Sequence, residues 1–371
     1  MLETLNTPAL LLDVEKLERN CRVMRERLDA HGVRLRPHVK TGKSIEVATR
    51  ALGAPTGPIT VSTLREAEYF FDHGFRDILY AVGMVPGKVP RAAELVRRGA
   101  RITTIVDSVE AARAVARASA EAGVALAVLA EIDSDGHRAG IAPGDARLIE
   151  VADALGDAFL GVMTHAGDSY NCETTDAIRA VARREREAVV SCAEALRARG
   201  HASPVVSVGS TPTATFAESF EGVTEVRTGV YVFHDLVMAG LGVCEVDDIA
   251  ISVLGSVIGH QRDKGWVVTD AGWMALSRDR GTAKQKVDQG YGLVCDAAGV
   301  PLDDLVVVDA NQEHGIVARR DGGAIDFARF PIGALLRILP NHACATAAQH
   351  AEYQVLRDGR RIAAWERFGG W

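Results

Sequence analysis

Residues 102–132 read ITTIVDSVEAARAVARASAEAGVALAVLAEI, a strand pattern, a helix pattern and a second strand pattern in succession. The outer segments are short and apolar, whereas the middle segment has alanine, arginine and glutamate at helical spacing and stops at a glycine. A strand–helix–strand unit of this kind is typical of a parallel sheet whose strands are joined by helices.

The same alternation continues along the first two thirds of the chain and predicts eight strands. They lie at residues 33–39, 59–62, 77–82, 102–107, 125–132, 159–164, 205–209 and 223–227. Eight such units match the usual size of a (β/α)8 TIM barrel, an α/β fold in which reactive residues lie at the C-terminal ends of the strands. A doubly wound open sheet is the competing fold.

After Cys244 the pattern changes to strand-like runs separated by turns. This change predicts a barrel domain over residues 14–245 and a C-terminal antiparallel β domain over residues 246–371. The N-terminal segment 1–13, which contains the apolar run PALLLD, is expected to join the β domain.

The composition is that of a soluble globular protein, with 47% hydrophobic and 25% charged residues among 371. No long apolar run predicts a membrane span and no signal peptide is recognisable, so we expect a cytoplasmic protein without a membrane partner. The net charge of -7 makes nucleic acid an unlikely partner on electrostatic grounds. Six scattered cysteines without a CxxC pair argue against a disulfide framework or a structural zinc module.

A polar cluster, RPHVKTGK at residues 36–43, follows the first predicted barrel strand. Lys40 in this cluster would lie at an apolar barrel mouth, where a lysine shielded from water can form an imine with an aldehyde. The alternative is a solvated loop, in which lysine is common.

The ends of the last two predicted barrel strands are rich in glycine and hydroxyl groups. Gly209, Ser210 and Thr211 follow one strand, and Gly229 and Tyr231 follow the other. Barrels often bind phosphate at this place, although a GST triplet alone is explained equally well by an ordinary turn. Together with a lysine, these residues predict pyridoxal phosphate, which needs both an imine-forming amine and a phosphate cradle.

Ionisable residues also end the fifth and sixth predicted strands, in EIDSDGHRAG at 131–140 and THAGDSY at 164–170. One group is expected to face the pyridine nitrogen of the cofactor, where an acid strengthens the electron sink and an arginine weakens it. His165 is either part of this site or a strand-end histidine bonded to the backbone.

The predicted β domain contains PNHACAT at residues 340–346. On an extended segment, His342 and Cys344 face one side, and imidazole with thiolate favours zinc while leaving ligand positions open. The alternative is a histidine and a cysteine that share a core face. In the same domain, Gln312 and His314 either contact the substrate or form a turn.

Taken together, these motifs resemble the fold-type III pyridoxal-phosphate family in its D-serine dehydratase and D-threonine aldolase branch. The shared segments run from end to end: TPALLLD, RPHVKTGKS, ITVSTLREAE, EIDSDGHRAG, THAGDSY, VVSVGSTPT, TGVYVFHD, QEHG, PNHACAT and the closing Trp371. The resemblance implies an alanine-racemase-like fold, a homodimer, and a divalent metal (zinc, or magnesium or manganese) held by His342 and Cys344.

By the same resemblance, Lys40 forms the Schiff base with the cofactor and acts as the catalytic base. The other residues expected around the cofactor are Arg138, His165, Tyr170, Gly209, Ser210, Thr211, Arg227, Gly229 and Tyr231. Either Arg138 or Arg227 is expected to face the pyridine nitrogen. Gly42 stands where many relatives have histidine, which predicts open space beside Lys40.

The metal motif separates two reactions, because dehydratases of the branch typically have HAC and aldolases more often have HCD. The HAC of this chain implies elimination of the β-hydroxyl of a D-3-hydroxy amino acid to a 2-oxo acid and ammonia. The stretch SRDRG at 277–281 favours D-threo-3-hydroxyaspartate over D-serine, with Arg278 or Arg280 pairing with a second substrate carboxylate or lying at the surface. A D-threonine or D-3-hydroxyaspartate aldolase, an amino-acid racemase and a non-catalytic pyridoxal-phosphate-binding protein are the alternatives.

Overall fold

The computed structural model describes residues 2–136 and 138–371, which divide into two compact units. The first unit contains Cys21–Gly229 and the last two residues; the second contains the chain up to Asn20 and Val230–Gly369. Strand β1 (Ala9–Asp13) is followed by helix α1 (Val14–Ala30), and the boundary after Asn20 falls inside this helix. The domain limits expected from the sequence stay predictions.

Eight parallel strands form the sheet of the first unit, in the spatial order β2-β9-β8-β7-β6-β5-β4-β3. They are β2 (Arg34–Leu35), β3 (Ile59–Val61), β4 (Asp77–Gly83), β5 (Arg101–Val106), β6 (Ala127–Ile132), β7 (Phe159–Thr164), β8 (Val205–Val208) and β9 (Glu225–Val226). Beyond β2, His38 pairs in parallel with Thr60, whose carbonyl accepts the N–H of Val39 at 2.9 Å. The two ends of the sheet therefore meet, which confirms the predicted barrel rather than an open sheet.

Helices follow these strands as the alternation predicts. They are α2 (Ile45–Leu52), α3 (Leu64–Asp72), α4 (Val89–Arg97), α5 (Val109–Glu121), α6 (Arg147–Leu155), α7 (Thr175–Ala198) and α8 (Thr211–Phe216). The side chains of Thr63, Ser108, Thr174 and Ser210 each accept the N–H three residues on, so a hydroxyl cap starts four of these helices directly after a strand or loop.

Strand β2 is shorter than the predicted strand 33–39 because it stops before Pro37. Proline has no N–H to donate to a neighbouring strand, and parallel pairing resumes only at His38. The chain therefore leaves the sheet and returns to it just before the polar cluster that contains Lys40.

Nine strands form the sheet of the second unit, in the order β11-β14-β13-β12-β15-β10-β1-β16-β17, with β10 also pairing with β11. The further strands are β10 (Ile251–Gln261), β11 (Trp266–Thr269), β12 (Leu293–Cys295), β13 (Pro301–Ala310), β14 (Gly315–Arg319), β15 (Leu335–Leu339), β16 (Glu352–Arg357) and β17 (Arg360–Glu366). Strand β1 lies between β10 and β16, and its pairing with β16 is parallel in an otherwise antiparallel sheet.

Three short helices interrupt the second unit: α9 (Leu236–Gly240), α10 (Trp273–Leu276) and α11 (Ala343–Ala347). One core cluster of buried residues in this unit includes Leu236 of α9 and is formed by Leu236, Ile249, Leu293, Cys295, Val306 and Leu339. Among the described residues, no helix is both long enough and apolar enough to cross a bilayer.

Candidate cofactor and metal sites

Lys40 lies on the turn that follows the His38 pairing, at the C-terminal end of a barrel strand. The turn is fixed on both sides, because the N–H of Val39 donates to Thr60 and the N–H of Lys43 donates to the carbonyl of Val39 at 2.8 Å. The side chain of Lys40 is exposed, so the expected shielding from water is wrong for this structure. The turn carries the amine beyond the last paired residue of the strand.

Two neutral histidines lie close to the charge of Lys40. Burial lowers the pKa of His165 to about 3, and the positive charges of Lys40, Arg138 and Arg227 act in the same direction. Its Nδ1 lies 2.8 Å from the carbonyl oxygen of Gly209, which can only accept, so Nδ1 carries the proton and Nε2 is an acceptor. Burial also lowers the pKa of His38 well below its usual range, and the positive charges of Lys40, Arg227 and Arg138 act in the same direction.

The Nδ1 atom of His38 is buried and has no hydrogen-bond partner within the described part of the chain. A polar atom left in this state is uncommon and points to a group that the protein is built to receive. His38 belongs to the polar cluster RPHVKTGK, but no role for it could be predicted, because an unpaired ring nitrogen leaves no trace in sequence spacing.

The two candidate arginines differ in burial. Arg227 is buried, its Nε donates to Ser207 Oγ at 2.9 Å and its Nη2 donates to the carbonyl of Thr164; burial lowers its pKa to about 10. Arg138 is half exposed and lies 3.5 Å from Glu131. The barrel therefore fixes Arg227 in place, whereas the contact of Arg138 with Glu131 is long and partly exposed.

Two glycines let backbone segments approach closely at the ends of β8 and β9. Gly209 has φ +146°, and a Cβ there would overlap the carbonyl oxygen of Arg227. A Cβ on Gly229 would lie 2.8 Å from the carbonyl oxygen of His38. Hydroxyl groups surround this turn: Ser210 Oγ is 2.9 Å from Ser169 Oγ, and Thr211 Oγ1 is 2.6 Å from Thr228 Oγ1.

This set of residues fits pyridoxal phosphate. Lys40 offers a primary amine, the neighbouring arginines offer positive charge for an anionic cofactor, and the turn at Gly209 offers the backbone space that a phosphate needs. The ring of Tyr170 lies 6.2 Å from that of His165. Tyr231 is buried but belongs to the second unit.

Gly42 does not open space beside Lys40, so that expectation is wrong. A Cβ at this position would lie 2.7 Å from Cγ1 of Val47, the buried residue at the start of α2. The glycine allows the turn to pack on the helix.

The metal motif has a different backbone from the one expected. His342 precedes α11 and Cys344 lies within it, so the expected extended segment is wrong. Alanine-rich sequence favours a helix here, and the buried Asp235 accepts the N–H of Ala343 at 2.9 Å, which satisfies a donor at the start of the helix. The side chains of His342 and Cys344 are nevertheless hydrogen-bonded to each other.

Asp279 fixes the orientation of the His342 ring, with Oδ2 lying 2.6 Å from Nδ1. The hydrogen bond to His342 lowers the pKa of Asp279, so its carboxylate accepts the Nδ1 proton. Burial lowers the pKa of His342, but the bonds to Asp279 and Cys344 outweigh it and raise that pKa to about 11, so Nε2 also carries a proton that it would lose on binding a metal ion. The SRDRG motif predicts roles for the arginines on both sides of Asp279 but none for Asp279 itself.

The donor set fits a metal ion with two protein ligands. Within residues 2–136 and 138–371, no group of three or more His, Cys, Asp or Glu side chains is placed to hold a metal. An imidazole nitrogen beside a sulfur suits zinc, and water or substrate oxygens would complete the coordination.

Helix α10 connects the metal motif to the other expected substrate residues. Thr346 Oγ1 donates to the carbonyl of Leu276 at 2.7 Å, and the N–H of Met274 donates to the carbonyl of Gln312 at 3.1 Å. The exposed side chains of Gln312 and His314 therefore lie on a turn that packs against the same helix as α11.

The two arginines of the SRDRG stretch have different partners. Arg280 forms an ion pair of 2.7 Å with Asp288. Arg278 is exposed, its guanidinium lies 5.1 Å from the centre of the Trp273 ring, and it has no ion pair in the described part of the chain. Arg278 is thus the arginine with an uncompensated charge.

Comparison with known proteins gives matches over almost the whole chain. Residues 12–236 match the model of the alanine racemase N-terminal domain, and residues 250–356 match that of a putative serine dehydratase domain. The first match confirms the alanine-racemase-like fold.

Three characterised relatives span nearly the full length. The chain is 56% identical to D-threo-3-hydroxyaspartate dehydratase of Delftia sp. (strain HT23), over 99% of this chain and 98% of that enzyme. It is 31% identical to D-serine dehydratase of Dictyostelium discoideum, over 97% and 96%. It is 30% identical to 3-hydroxy-D-aspartate aldolase of Paracoccus denitrificans (strain Pd 1222), over 97% and 91%.

The solved structure of the Delftia dehydratase superposes with a TM-score of 0.97 at 55% identity, over 100% of this chain and 99% of that one. A cysteine-to-alanine variant of that enzyme in a metal-free form superposes with the same TM-score, identity and coverage. Because this variant is a metal-free form, the Delftia enzyme itself is implied to bind a metal ion.

Proposed function

Because the chain belongs to the pyridoxal-phosphate-dependent family that joins an alanine racemase N-terminal domain to a serine dehydratase domain, we propose that it is a metal-dependent dehydratase of D-3-hydroxy amino acids. D-threo-3-hydroxyaspartate is the favoured substrate and D-serine the next. The observation that carries the proposal is the hydrogen-bonded pair of His342 and Cys344, found in a chain 56% identical to a dehydratase of that substrate.

Residues of the barrel bind the cofactor in this proposal. When bound, pyridoxal phosphate supplies an electron sink that stabilises negative charge on the α-carbon. The Nζ atom of Lys40 would take the α-hydrogen, the turn at Gly209 would hold the phosphate, and Arg227 would lie at the pyridine nitrogen. The fixed position of Arg227, with two hydrogen bonds inside the barrel, supports this choice over the half-exposed Arg138.

Residues of the second unit bind the metal and the substrate. When bound, a metal ion would supply a Lewis acid for the 3-hydroxyl group. Nε2 of His342 and Sγ of Cys344 would hold the ion after losing their protons, and Asp279 would fix the imidazole ring by accepting from Nδ1. Arg278 pairs with the second carboxylate of 3-hydroxyaspartate, because it has no competing carboxylate among the described residues.

A retro-aldol reaction is the second candidate, since the chain is also 30% identical to a 3-hydroxy-D-aspartate aldolase. It would yield glycine and an aldehyde instead of a 2-oxo acid and ammonia. An amino-acid racemase would convert one enantiomer into the other without loss of substrate, and a protein that binds the cofactor without turnover would form no product. The homodimer and the cytoplasmic location stay predictions.

The substrate part of the proposal is tested by kinetics with D-threo-3-hydroxyaspartate and D-serine, using the protein and its Arg278→Gln variant. Loss of the guanidinium should raise the KM for 3-hydroxyaspartate about tenfold, equivalent to ~1.4 kcal/mol, and leave the KM for D-serine unchanged. Equal changes in KM for both substrates would show that Arg278 does not bind the second carboxylate. A preference of the unaltered protein for D-serine would contradict the assignment of 3-hydroxyaspartate as the favoured substrate.

A further inference from the structure

Helix α7 carries a glutamate on its buried face. Glu185 lies four residues from both Val181 and Val189, which are buried, and only 2% of its own surface is exposed. A carboxyl group in such a place is costly unless its oxygens are hydrogen-bonded. Glu185 has no part in the proposed contacts with cofactor, metal or substrate.

One oxygen of Glu185 holds two neighbouring strand ends. Oε1 accepts the N–H of Gly209 at 2.9 Å and the N–H of Ala166 at 3.2 Å. Gly209 follows β8 and Ala166 lies two residues after β7, so the carboxyl group joins the ends of adjacent barrel strands. The carbonyl of Gly209 accepts from His165, so both hydrogen-bonding groups of this residue are engaged.

The hydrogen bond from Gly209 to Glu185 matters because Gly209 begins the turn proposed to hold the phosphate. Its backbone conformation excludes any side chain, and its neighbours Ser210 and Thr211 complete the turn proposed to hold the phosphate. A change in the direction of the Gly209 peptide would move the whole turn relative to the amine of Lys40.

The carboxyl group of Glu185 is buried but well supplied with hydrogen-bond donors. Burial raises its pKa, against hydrogen bonds from Thr213 and the backbone and against the positive charge of Arg227. Both amide donors reach Oε1, and the side chain of Thr213 adds a third hydrogen bond to the same carboxyl group.

We propose that Glu185 is a positioning residue for the phosphate-binding turn of residues 209–211. It acts through the backbone of Gly209 and Ala166 and does not touch the cofactor. This inference rests on the proposed function, since it takes the turn to hold the phosphate of pyridoxal phosphate.

The test compares two ligands that differ only in the phosphate. Apoprotein is titrated with pyridoxal phosphate and with pyridoxal, and the dissociation constants are measured by absorbance for Glu185→Ala and Glu185→Gln. Glu187→Ala is the matched control, because Glu187 lies exposed on the same helix and its nearest charged partner, Arg186, is 3.9 Å away.

We expect Glu185→Ala to raise the dissociation constant of pyridoxal phosphate about tenfold or more, because buried N–H groups lose their acceptor. The dissociation constant of pyridoxal should change less than about twofold. Glutamine keeps an oxygen that can accept both N–H groups, so Glu185→Gln should stay within about threefold of the unaltered protein. Glu185→Met fills the same space without an acceptor and replaces the alanine variant if that variant does not fold.

Two results would overturn the inference. If Glu185→Ala weakens the binding of both ligands equally, Glu185 supports the barrel in general. If Glu185→Gln binds pyridoxal phosphate as weakly as Glu185→Ala does, acceptance of the two N–H groups is not what positions the turn. If the unaltered protein binds neither ligand, the proposed function itself fails, which is a different outcome.

Discussion

Removal of the Asp279 carboxylate should weaken metal binding without unfolding the protein. The carboxylate lies 2.6 Å from Nδ1 of His342 and fixes the orientation of the imidazole that would bind the metal ion. Loss of a partner of this kind typically reduces metal affinity about 10-fold to 100-fold, which corresponds to roughly 1.4–2.7 kcal/mol. Asp279→Ala should show the full loss, and Asp279→Asn a smaller one, because an amide oxygen still accepts from Nδ1 but carries no charge.

The assay is a competition for zinc between metal-free protein and a chromophoric chelator, followed by measurement of the thermal midpoint with and without zinc. Asp288→Asn is the control, since Asp288 belongs to the same loop and its ion pair with Arg280 is partly exposed. Equal zinc affinity in the Asp279 variants and the unaltered protein would refute the assignment of Asp279. A loss as large in Asp288→Asn would show that the loop as a whole is responsible.

Three further outcomes are expected. Lys40→Ala should abolish covalent labelling by borohydride in the presence of pyridoxal phosphate, and mass spectrometry of the labelled peptide should locate the label on Lys40 in the unaltered protein. Gly209→Ala should lower the free energy of unfolding by more than the roughly 1–3 kcal/mol expected from its positive φ, because the added Cβ would overlap backbone atoms. The measurement is urea unfolding. Gly200→Ala is the control, because Gly200 has φ +87° but open space around it. Burial raises the pKa of Glu225, but the charge of Arg36 outweighs it and lowers that pKa, so the ion pair stabilises the fold above the ordinary glutamate pKa and this contribution falls as pH decreases through the folded value. The cost of Glu225→Gln, about 3–5 kcal/mol at pH 7, should therefore shrink towards pH 3, and a cost independent of pH would contradict the ion pair.

The barrel could be predicted because its signal is local. Each strand–helix unit shows its period in the sequence, and hydroxyl residues such as Ser108 and Ser210 mark where helices begin. The lengths of the strands were less predictable, because Pro37 interrupts β2 while the neighbouring chain restores pairing at His38.

The residues that support the candidate sites could not be predicted, because their partners are distant in the sequence. Asp279 reaches His342 across 63 residues, and Glu185 reaches Gly209 across 24. In both cases the supporting carboxylate belongs to a segment that reads as an ordinary loop or helix. The helix at Cys344 was missed for a similar reason, since a cap from Asp235, 108 residues away from Ala343, helps to start it.

Product identity is the most direct test of the proposed activity. The purified protein, loaded with pyridoxal phosphate and zinc, is incubated with D-threo-3-hydroxyaspartate, and ammonia, 2-oxo acid and amino products are measured. The same incubation is repeated after complete removal of the metal by chelation. We predict equal amounts of ammonia and oxaloacetate, lost with the metal and restored by zinc. Glycine as the amino product, or undiminished activity without metal, would contradict a metal-dependent dehydratase.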